Sequence, residues 1–409
     1  MLQKITLFCL GISLMGSTSF SQDFSYSVVT VNNATFSNDL LIRTDYGTAY
    51  GTPQWESGET EQIPVAYVSG QAARVEAEFT LDCGNIPSTI TVRGVGPEGI
   101  NFPVQTVAVE ASGNFTYPAA SATSAFEDDI VRRFKPFKIG WDISFDGGST
   151  WHAADTTANT MYVTLNNPMP ETSGFKYWHT IYDISCRNAD SQSTETDVIA
   201  GIWSEFTDQV TLDWEDDSLK YYSPMYTFNT NLQSLLMFHN AQCYTFAQLF
   251  LSCIKIQGIV RSNNYVYITP IGNYVCGNPV NRFLVQNWEF TAPSAAGECT
   301  YFPYKNTYIN IYVPPYTEYN FITEDVVDQP GLPGQCSSNP SSFFNNHQIA
   351  YIDGVYYDAC YGVSFSSVED IPYEAFSGWG YRYTIGSTKH CLFTDNMDLS
   401  ELIDVVSTF

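Results

Sequence analysis

The strongest constraint on the fold is a series of short segments in the first 165 residues in which apolar and polar side chains alternate. Gly, Pro, Asn and Asp separate these segments, which cover 26–31, 74–81, 89–95, 102–109, 137–144 and 160–165. Alternation with a period of two residues indicates strands with one buried face, and a series of short strands is typical of a β-sandwich. We therefore predict an all-β sandwich over residues 22–167.

One turn in this region has a distinctive sequence. Residues 144–151 are Ser-Phe-Asp-Gly-Gly-Ser-Thr-Trp, in which the Asp and the two glycines favour a tight hairpin. The stretch resembles the Asp-box turn of sialidases, which repeat it in several blades, whereas it occurs once here. We interpret it as a hairpin turn of an immunoglobulin-like sandwich. A glycan-active protein is an alternative, but no pair of acid and nucleophile carboxylates is recognisable.

A turn-rich segment at 168–174 is the predicted linker to a chain of mixed helical and strand periodicity. Helices are predicted at 194–206, 231–238 and 242–257. Strands are predicted at 265–270, 283–290, 308–313, 347–352, 355–359 and 380–385. Helices that precede a sheet connected mainly by hairpins indicate an α+β domain, here over residues 175–409.

The N-terminus has the features of a signal peptide over residues 1–21. Lys4 supplies a positive charge, residues 5–15 are apolar but too short to span a bilayer, and residues 19–21 form a small-x-small cleavage site. We therefore expect a secreted protein, extracellular or periplasmic, without membrane insertion. The net charge of -26 disfavours nucleic acid as a partner, because phosphate backbones bind to positive surfaces.

The cysteine count indicates one unpaired thiol. The chain has ten cysteines, and Cys9 lies in the predicted signal peptide, which leaves nine in an oxidising compartment. Cys243 begins a predicted helix, where free N–H groups and the helix dipole stabilise a thiolate. The other eight permit up to four disulfide bonds whose pairing the sequence does not define, although Cys253 on the inner helix face could be buried and reduced.

A histidine and an aspartate come together in one predicted hairpin. Asp-Gly at 353–354 is a strong two-residue turn signal, so segments 347–352 and 355–359 are expected to pair. Counting outward from this turn places His347 and Asp358 as diagonal neighbours on one sheet face. A carboxylate there can hold the imidazole by one nitrogen and leave the other facing a thiol.

Other candidate residues rank lower. Cys360 shares the predicted face with His347, but a thiol in the middle of a strand lacks the field of a helix end. His239 lies four residues before Cys243 and is expected at a helix end in solvent, without an adjacent carboxylate. His179 is expected on a strand in a structural role. No metal or nucleotide motif occurs, so we predict neither a metal nor a cofactor.

Residues 241–259 resemble the cysteine helix of the transglutaminase-like, papain-related superfamily, in which a Cys opens a helix that ends with Gly-Ile. His347 and Asp358 match the other two triad members in the same chain order, and Trp-Ser-Glu-Phe at 203–206 is similar to a helix that often precedes the cysteine helix. The resemblance covers 175–390. It departs from the family at Tyr244, where Trp is frequent, and in a long stretch before His347, whose residues 299–344 could form a substrate groove or block entry.

The resemblance implies a cysteine-dependent amide-bond enzyme with a triad of Cys243, His347 and Asp358 and a thioester intermediate. Water as the acceptor would make it a protease or amidase, and a lysine amine would make it a protein-glutamine acyltransferase. The implied partner is a protein or peptide substrate, no cofactor is needed, and the oligomeric state stays open. The alternative is a catalytically inactive secreted protein that serves in adhesion or binds peptides or glycans.

Overall fold

The computed structural model describes side chains for residues 28–221, 231–261, 265–268, 333–338, 340 and 346–367. It describes the backbone alone for residue 264 and for strands at 274–275, 278–279, 282–284, 299–302, 321–322, 343–344, 378–385, 388–394 and 403–408. The chain forms two compact units. The first runs to Pro168 and includes Tyr177–Val198 and Ile256–Gly258, and the second comprises Met169–Lys176, Ile199–Lys255 and the described chain from Ile259 onward. The protein is therefore β-rich and multidomain. The predicted signal peptide lies outside the described residues, and the predicted domain boundaries stay predictions.

The described part of the first unit contains nine strands. They are β1 (Val28–Ser37), β2 (Trp55–Glu56), β3 (Val65–Val68), β4 (Arg74–Asp82), β5 (Thr89–Val95), β6 (Asn101–Ala108), β7 (Asn114–Ser121), β8 (Arg132–Ser144) and β9 (His152–Thr164). They form a sheet of order β2-β1-β4-β7 and a sheet of order β3-β9-β8-β5-β6. Strands β3 and β9 pair in parallel, and the other pairs are antiparallel.

Aromatic side chains from both sheets make the core of this unit. Trp141 on β8 is fully buried, and its ring lies 5.3 Å from the ring of Phe79 on β4 and 5.2 Å from that of Tyr117 on β7. The two sheets thus share one apolar core, as the alternation in the sequence predicts. The strands predicted at 74–81 and 89–95 are confirmed as β4 and β5.

The hairpin predicted at 144–151 is confirmed as the turn between β8 and β9. The Ser144 hydroxyl lies 2.7 Å from Oδ1 of Asp146 and accepts a hydrogen bond from the amide of Gly148, while Asp146 accepts one from the amide of Thr150. Gly147 and Gly148 have φ values of 73° and 97°, which favour glycine. The motif residues are therefore used in forming the turn.

Four α-helices occur in the described chain: α1 (His179–Asn188), α2 (Glu195–Thr207), α3 (Leu232–Phe238) and α4 (Cys243–Ile256). Helices α2 to α4 confirm the predicted helices to within one residue at each end. Among the described residues, no helix combines the length and the apolar character needed to cross a bilayer.

The strand predicted at His179 is wrong, because His179 is the first residue of α1. The first eight residues of this helix are all buried, and their polar side chains bond with other elements instead of facing solvent, as Thr180 does with Asp45 and Asp183 with Tyr162. Its N-cap residue, Trp178, also makes no side-chain capping bond. The imidazole of His179 bonds with the hydroxyls of Tyr50 and Tyr162, and Tyr162 donates to the carboxylate of Asp183.

The second unit contains short strands before and after α4 and two larger sheets. The strands are β10 (Lys220–Tyr221), β11 (Asn240–Ala241), β12 (Asn264–Ile268), β13 (Tyr274–Val275), β14 (Asn278–Pro279), β15 (Arg282–Leu284), β16 (Cys299–Phe302), β17 (Phe321–Ile322), β18 (Phe343–Phe344), β19 (His347–Ile352), β20 (Val355–Asp358), β21 (Val363–Phe365), β22 (Gly378–Ile385), β23 (Thr388–Thr394) and β24 (Ile403–Thr408). The larger sheets have the orders β21-β20-β19-β12-β24 and β17-β16-β23-β22-β15-β18, and the pairs β10-β11 and β13-β14 stand apart. The strand predicted at 308–313 lies outside the described residues.

Helix α4 packs against helix α2 and strand β20 in the second unit. The ring of Phe250 on α4 contacts Trp203 and Phe206 of α2 and Tyr357 of β20, with ring centroids 5.1 to 5.5 Å apart. The predicted inner-face residues of α4 are all buried: Phe246, Phe250, Cys253 and Ile254. This packing fixes the first turn of α4 against the strands that carry His347 and Asp358.

Candidate functional site

The site begins with the hairpin of β19 and β20. Ile352 pairs with Val355 across the turn, which confirms the register predicted from the Asp-Gly dipeptide. As a result, Nε2 of His347 lies 2.8 Å from Oδ2 of Asp358. Both side chains are buried, with only 1% and 2% of their surface exposed.

The carboxylate of Asp358 is held at both oxygens. Oδ2 accepts the bond from His347, and Oδ1 accepts a bond of 3.0 Å from the amide of Cys360. The carbonyl of Asp358 accepts bonds from the amides of Tyr361 and Gly362, which forms the turn after β20. Asp358 therefore has a fixed orientation toward the imidazole.

Cys243 is the first residue of α4, as predicted. The carbonyl of Gln242 accepts the first bonds of the helix, from the amides of Thr245 and Phe246. Cys243 is a free thiol with 7% of its surface exposed, and its side chain is near enough to the imidazole of His347 to raise the pKa of that ring. The structure therefore brings together all three side chains that the sequence singles out. Since Nε2 of His347 faces Asp358, Nδ1 is left for the sulfur.

The pKa of His347 reflects this position. Burial alone would lower it, but the charge and hydrogen bond of Asp358, with the nearby side chain of Cys243, outweigh burial and raise the pKa of His347 to about 10. The imidazole is therefore protonated at neutral pH, with an acid on one side and a sulfur on the other.

Two tyrosines that the sequence does not single out pack against the imidazole. The ring centroids of Tyr361 and Tyr221 lie 5.6 Å and 6.4 Å from that of His347, and both tyrosines are buried. They also contact each other, with ring centroids 5.4 Å apart. These rings exclude water from one side of the site, which strengthens the electrostatic interactions within it.

A loop at 333–338 packs against Tyr221, one of these two tyrosines. The backbone of Gln335 accepts from the amide of Tyr221 at 2.8 Å and donates to the carbonyl of Cys360 at 2.9 Å. Its side chain accepts from Thr211 and donates to the carbonyl of Phe206. This loop belongs to the 299–344 stretch that was expected to form a groove or block entry. Most of that stretch lies outside the described residues.

The predicted position of Cys360 in the middle of a strand is wrong. Strand β20 ends at Asp358, and Cys360 lies in the turn that follows. The reason is the side chain of Asp358, whose Oδ1 bonds with the Cys360 amide and so removes that amide from strand pairing. Cys360 is a fully buried free thiol, and its Sγ lies 3.8 Å from the carbonyl oxygen of Cys243.

The expectation that His239 has no adjacent carboxylate is also wrong. Its Nε2 lies 3.1 Å from Oδ2 of Asp213, which comes from a loop well before α3 in the chain. The other oxygen of Asp213 accepts bonds from the amides of Glu215 and Asp217. The position of His239 at the end of a helix is confirmed, because it is the C-cap of α3.

Two groups among the described side chains have donor atoms close enough to hold a metal ion: His347, Asp358 and Cys360 in one, and Asp213, Asp217 and His239 in the other. In the first group, the hydrogen bond between His347 and Asp358 and the proton on His347 compete with metal binding. In the second group, Asp213 already binds His239 and two backbone amides.

Six described cysteines are free thiols: Cys83, Cys186, Cys243, Cys253, Cys336 and Cys360. The side chains of Cys276, Cys299 and Cys391 lie outside the described residues. Cys253 is a buried thiol, as its predicted place on the inner face of the helix suggested. The presence of disulfide bonds stays a prediction.

The sequence matches no protein family model, and no curated protein gives a significant match.

Proposed function

We propose that the second unit is a cysteine-dependent amide-bond enzyme of the transglutaminase-like, papain-related superfamily, with Cys243 as nucleophile, His347 as acid and base, and Asp358 as the group that orients His347. One observation carries the proposal. A helix start and two neighbouring strands contribute a thiol, an imidazole and a carboxylate to one buried site, in which a hydrogen bond of 2.8 Å joins the imidazole to the carboxylate and the thiol lies near the imidazole. These are the three roles that nucleophilic catalysis by cysteine requires.

The electrostatics favour a reactive sulfur. A protonated imidazole beside a sulfur stabilises negative charge on it, and the first turn of a helix adds unpaired N–H groups and the positive end of the dipole. Cys243 has both neighbours, since it opens α4 and its side chain lies near the imidazole of His347. Asp358 keeps the positive charge on the ring.

The reaction proceeds in two halves. The Cys243 thiolate attacks the carbonyl carbon of an amide, and the C–N bond breaks as His347 gives its proton to the departing amine, which leaves a thioester. An acceptor, either water or a primary amine, then loses a proton to His347 and attacks the thioester carbon. The C–S bond breaks and returns the thiolate and the imidazolium. The backbone N–H of Cys243 donates to the oxyanion in both halves, a contribution of about 3 kcal/mol per donor.

The proposal extends to the rest of the chain. We assign the first unit as an immunoglobulin-like accessory sandwich, supported by its two sheets and their shared core around Trp141. We also propose that the protein is secreted after cleavage of residues 1–21, which rests on the sequence. Mass analysis of the N-terminal peptide of exported protein should find Gln22 as the first residue, and a retained residue 1–21 segment would contradict this part.

The enzymatic proposal is tested with a glutamine-bearing protein and a tagged primary amine, following amine incorporation and peptide cleavage together. Wild type should catalyse one or both, and Cys243→Ser should catalyse neither. Cys83→Ser is the matched control, because Cys83 is a partly exposed free thiol of the first unit and its loss should leave activity unchanged. A wild type that is inactive and whose Cys243 is also unreactive would contradict the proposal and favour a binding protein.

A further inference from the structure

We infer that Cys360 is a positioning residue of the proposed triad, which couples the carboxylate of Asp358 to the first residue of α4 through its backbone amide and its thiol. The inference rests on the proposed function and adds a residue that the family resemblance does not supply. It assigns a role to a buried thiol that otherwise has none.

Cys360 contacts two of the three residues of the proposed triad, Asp358 and Cys243. Its amide donates to Oδ1 of Asp358 at 3.0 Å, and its Sγ lies within 4.8 Å of that carboxylate. Its Sγ lies 3.8 Å from the carbonyl oxygen of Cys243 and donates toward it. One residue therefore touches the acid and the residue that carries the nucleophile.

Contacts with the 333–338 loop also fix the position of Cys360. Its carbonyl accepts a bond of 2.9 Å from the amide of Gln335, a residue whose own carbonyl accepts a bond from the amide of Tyr221. A side chain added at Gly334 would lie 2.8 Å from the Cys360 carbonyl and 2.7 Å from the Tyr221 ring, so the backbone here packs closely. The thiol is held in place and does not adapt freely to its neighbours.

A neutral thiol suits this position. Burial, followed by the charges of Asp358 and Cys243, raises the pKa of Cys360 well above its ordinary value, so the S–H proton is retained. A protonated thiol can donate to the carboxylate without adding a second negative charge next to Asp358. It is also small enough for a space whose other walls are Tyr221, Tyr361 and the imidazole of His347.

The test compares Cys360→Ala and Cys360→Ser with the wild type in the full chain. Cys186→Ala is the matched control, because Cys186 is also a fully buried free thiol whose Sγ donates to a carbonyl, that of Val163, at 3.8 Å. The readout is the rate at which iodoacetamide alkylates Cys243 at pH 7 and at pH 10.5, with the modified peptide identified by mass spectrometry.

We expect Cys360→Ala to slow alkylation of Cys243 at pH 7 by a factor of about 3 to 10, the size expected for loss of the one hydrogen bond that the thiol donates to the Cys243 carbonyl. At pH 10.5, above the pKa of about 10 of His347, the imidazole is largely neutral in every variant, so the rate should be unchanged. Cys360→Ser keeps a donor and should restore most of the rate at pH 7, and Cys186→Ala should match the wild type at both values. A purely structural role would change the rates at both pH values alike.

Two failures can be told apart. If wild-type Cys243 reacts faster than glutathione at pH 7 and Cys360→Ala reacts equally fast, this inference is overturned and the proposed function stands. If wild-type Cys243 reacts no faster than glutathione, the proposed function fails and this inference fails with it. An equal loss of rate in Cys360→Ala at both pH values would overturn the positioning role in favour of general destabilisation.

Discussion

The imidazole of His347 and the carboxylate of Asp358 are 2.8 Å apart although eleven positions separate them in the chain. The two-residue turn at 353–354 sets this distance, because it fixes the pairing of β19 with β20. The same carboxylate ends β20 by binding the amide of Cys360. The carboxylate of Asp358 thus ends strand β20 and also supplies the negative charge next to His347.

We expect Asp358→Asn to lower kcat by a factor of about 10² to 10⁴, as removal of the orienting acid does in related triads. The variant keeps the size of the side chain but lowers the pKa of His347, because burial is then no longer opposed by the carboxylate charge. Kinetics with a glutamine-bearing substrate measure the loss. Asp353→Asn is the control, since Asp353 lies on the exposed turn of the same hairpin, paired with Arg261. Full activity of Asp358→Asn would contradict the assigned role.

The raised pKa of His347 predicts a loss of stability at alkaline pH. The folded-state pKa is about 10 and the ordinary value is 6.5, so the contribution of His347 to stability is complete below pH 6.5, falls as the pH rises above that, and is lost near pH 10. Urea unfolding of wild type and His347→Gln at pH 6.5, 8.5 and 10 measures this. The difference in unfolding free energy between them should shrink as the pH rises, and a constant difference would show that His347 does not hold an extra proton.

The central part of the site could be predicted from local rules. The turn dipeptide at 353–354 fixes a register, and the register fixes which side chains share a face, so the pairing of His347 with Asp358 follows from counting. The bounds of α4 likewise follow from helical periodicity, which begins near Cys243, and from the glycine that follows the end of the helix. These inferences succeed because each involves residues close together in the chain.

Contacts made through loops could not be predicted. His239 meets Asp213 and Tyr221 meets Gln335 through segments that share no hairpin and no periodic pattern. Helix α1 was missed for a different reason. No side-chain cap marks its start, and its aromatic and β-branched residues favour a strand by propensity. The end of β20 was misplaced because a side-chain bond of Asp358, which sequence counting ignores, competes with strand pairing.

His179 should make the protein sensitive to acid. Burial, followed by the charges of Lys135 and Arg133, lowers the pKa of His179 to about 3. Below pH 6.5 the unfolded chain therefore binds a proton that the folded chain does not, and stability falls as the pH falls. The expected loss from this group at pH 4 is about 3 kcal/mol.

Chemical denaturation of wild type and His179→Gln at pH 7 and pH 4 checks this expectation. The variant should lose less stability on acidification, although it is less stable at pH 7 because Tyr50 and Tyr162 lose a bonding partner. His152→Gln serves as the control, since His152 lies at the start of β9 in the same unit and is only partly buried. Equal losses in His179→Gln and wild type would mean that His179 is not kept neutral by the fold.

Two glycines with positive φ should respond differently to alanine. Gly362 has φ 68°, and a Cβ there would lie 2.2 Å from the carbonyl oxygen of Phe206, whereas Gly354 has φ 89° and no atom within 4 Å of that position. Both substitutions cost about 1 kcal/mol for the left-handed conformation. Gly362→Ala should cost a further 1 to 3 kcal/mol, roughly the cost of overpacking. Urea unfolding of the two variants measures the difference, and equal losses would indicate that the turn after β20 is not packed against α2.

The central claim, that His347 activates Cys243, is tested most directly by competition among the thiols of one molecule. A limiting amount of iodoacetamide is added to the folded protein at pH 6, and the label on each cysteine peptide is measured by mass spectrometry for wild type and His347→Gln. Among the described thiols, exposure alone would favour label on Cys83 and Cys336, because both are partly exposed and Cys243 is buried. The account predicts that Cys243 carries most of the label in the wild type and loses it in His347→Gln. Label that appears first on Cys83 in the wild type, or that stays on Cys243 without the imidazole, would contradict it.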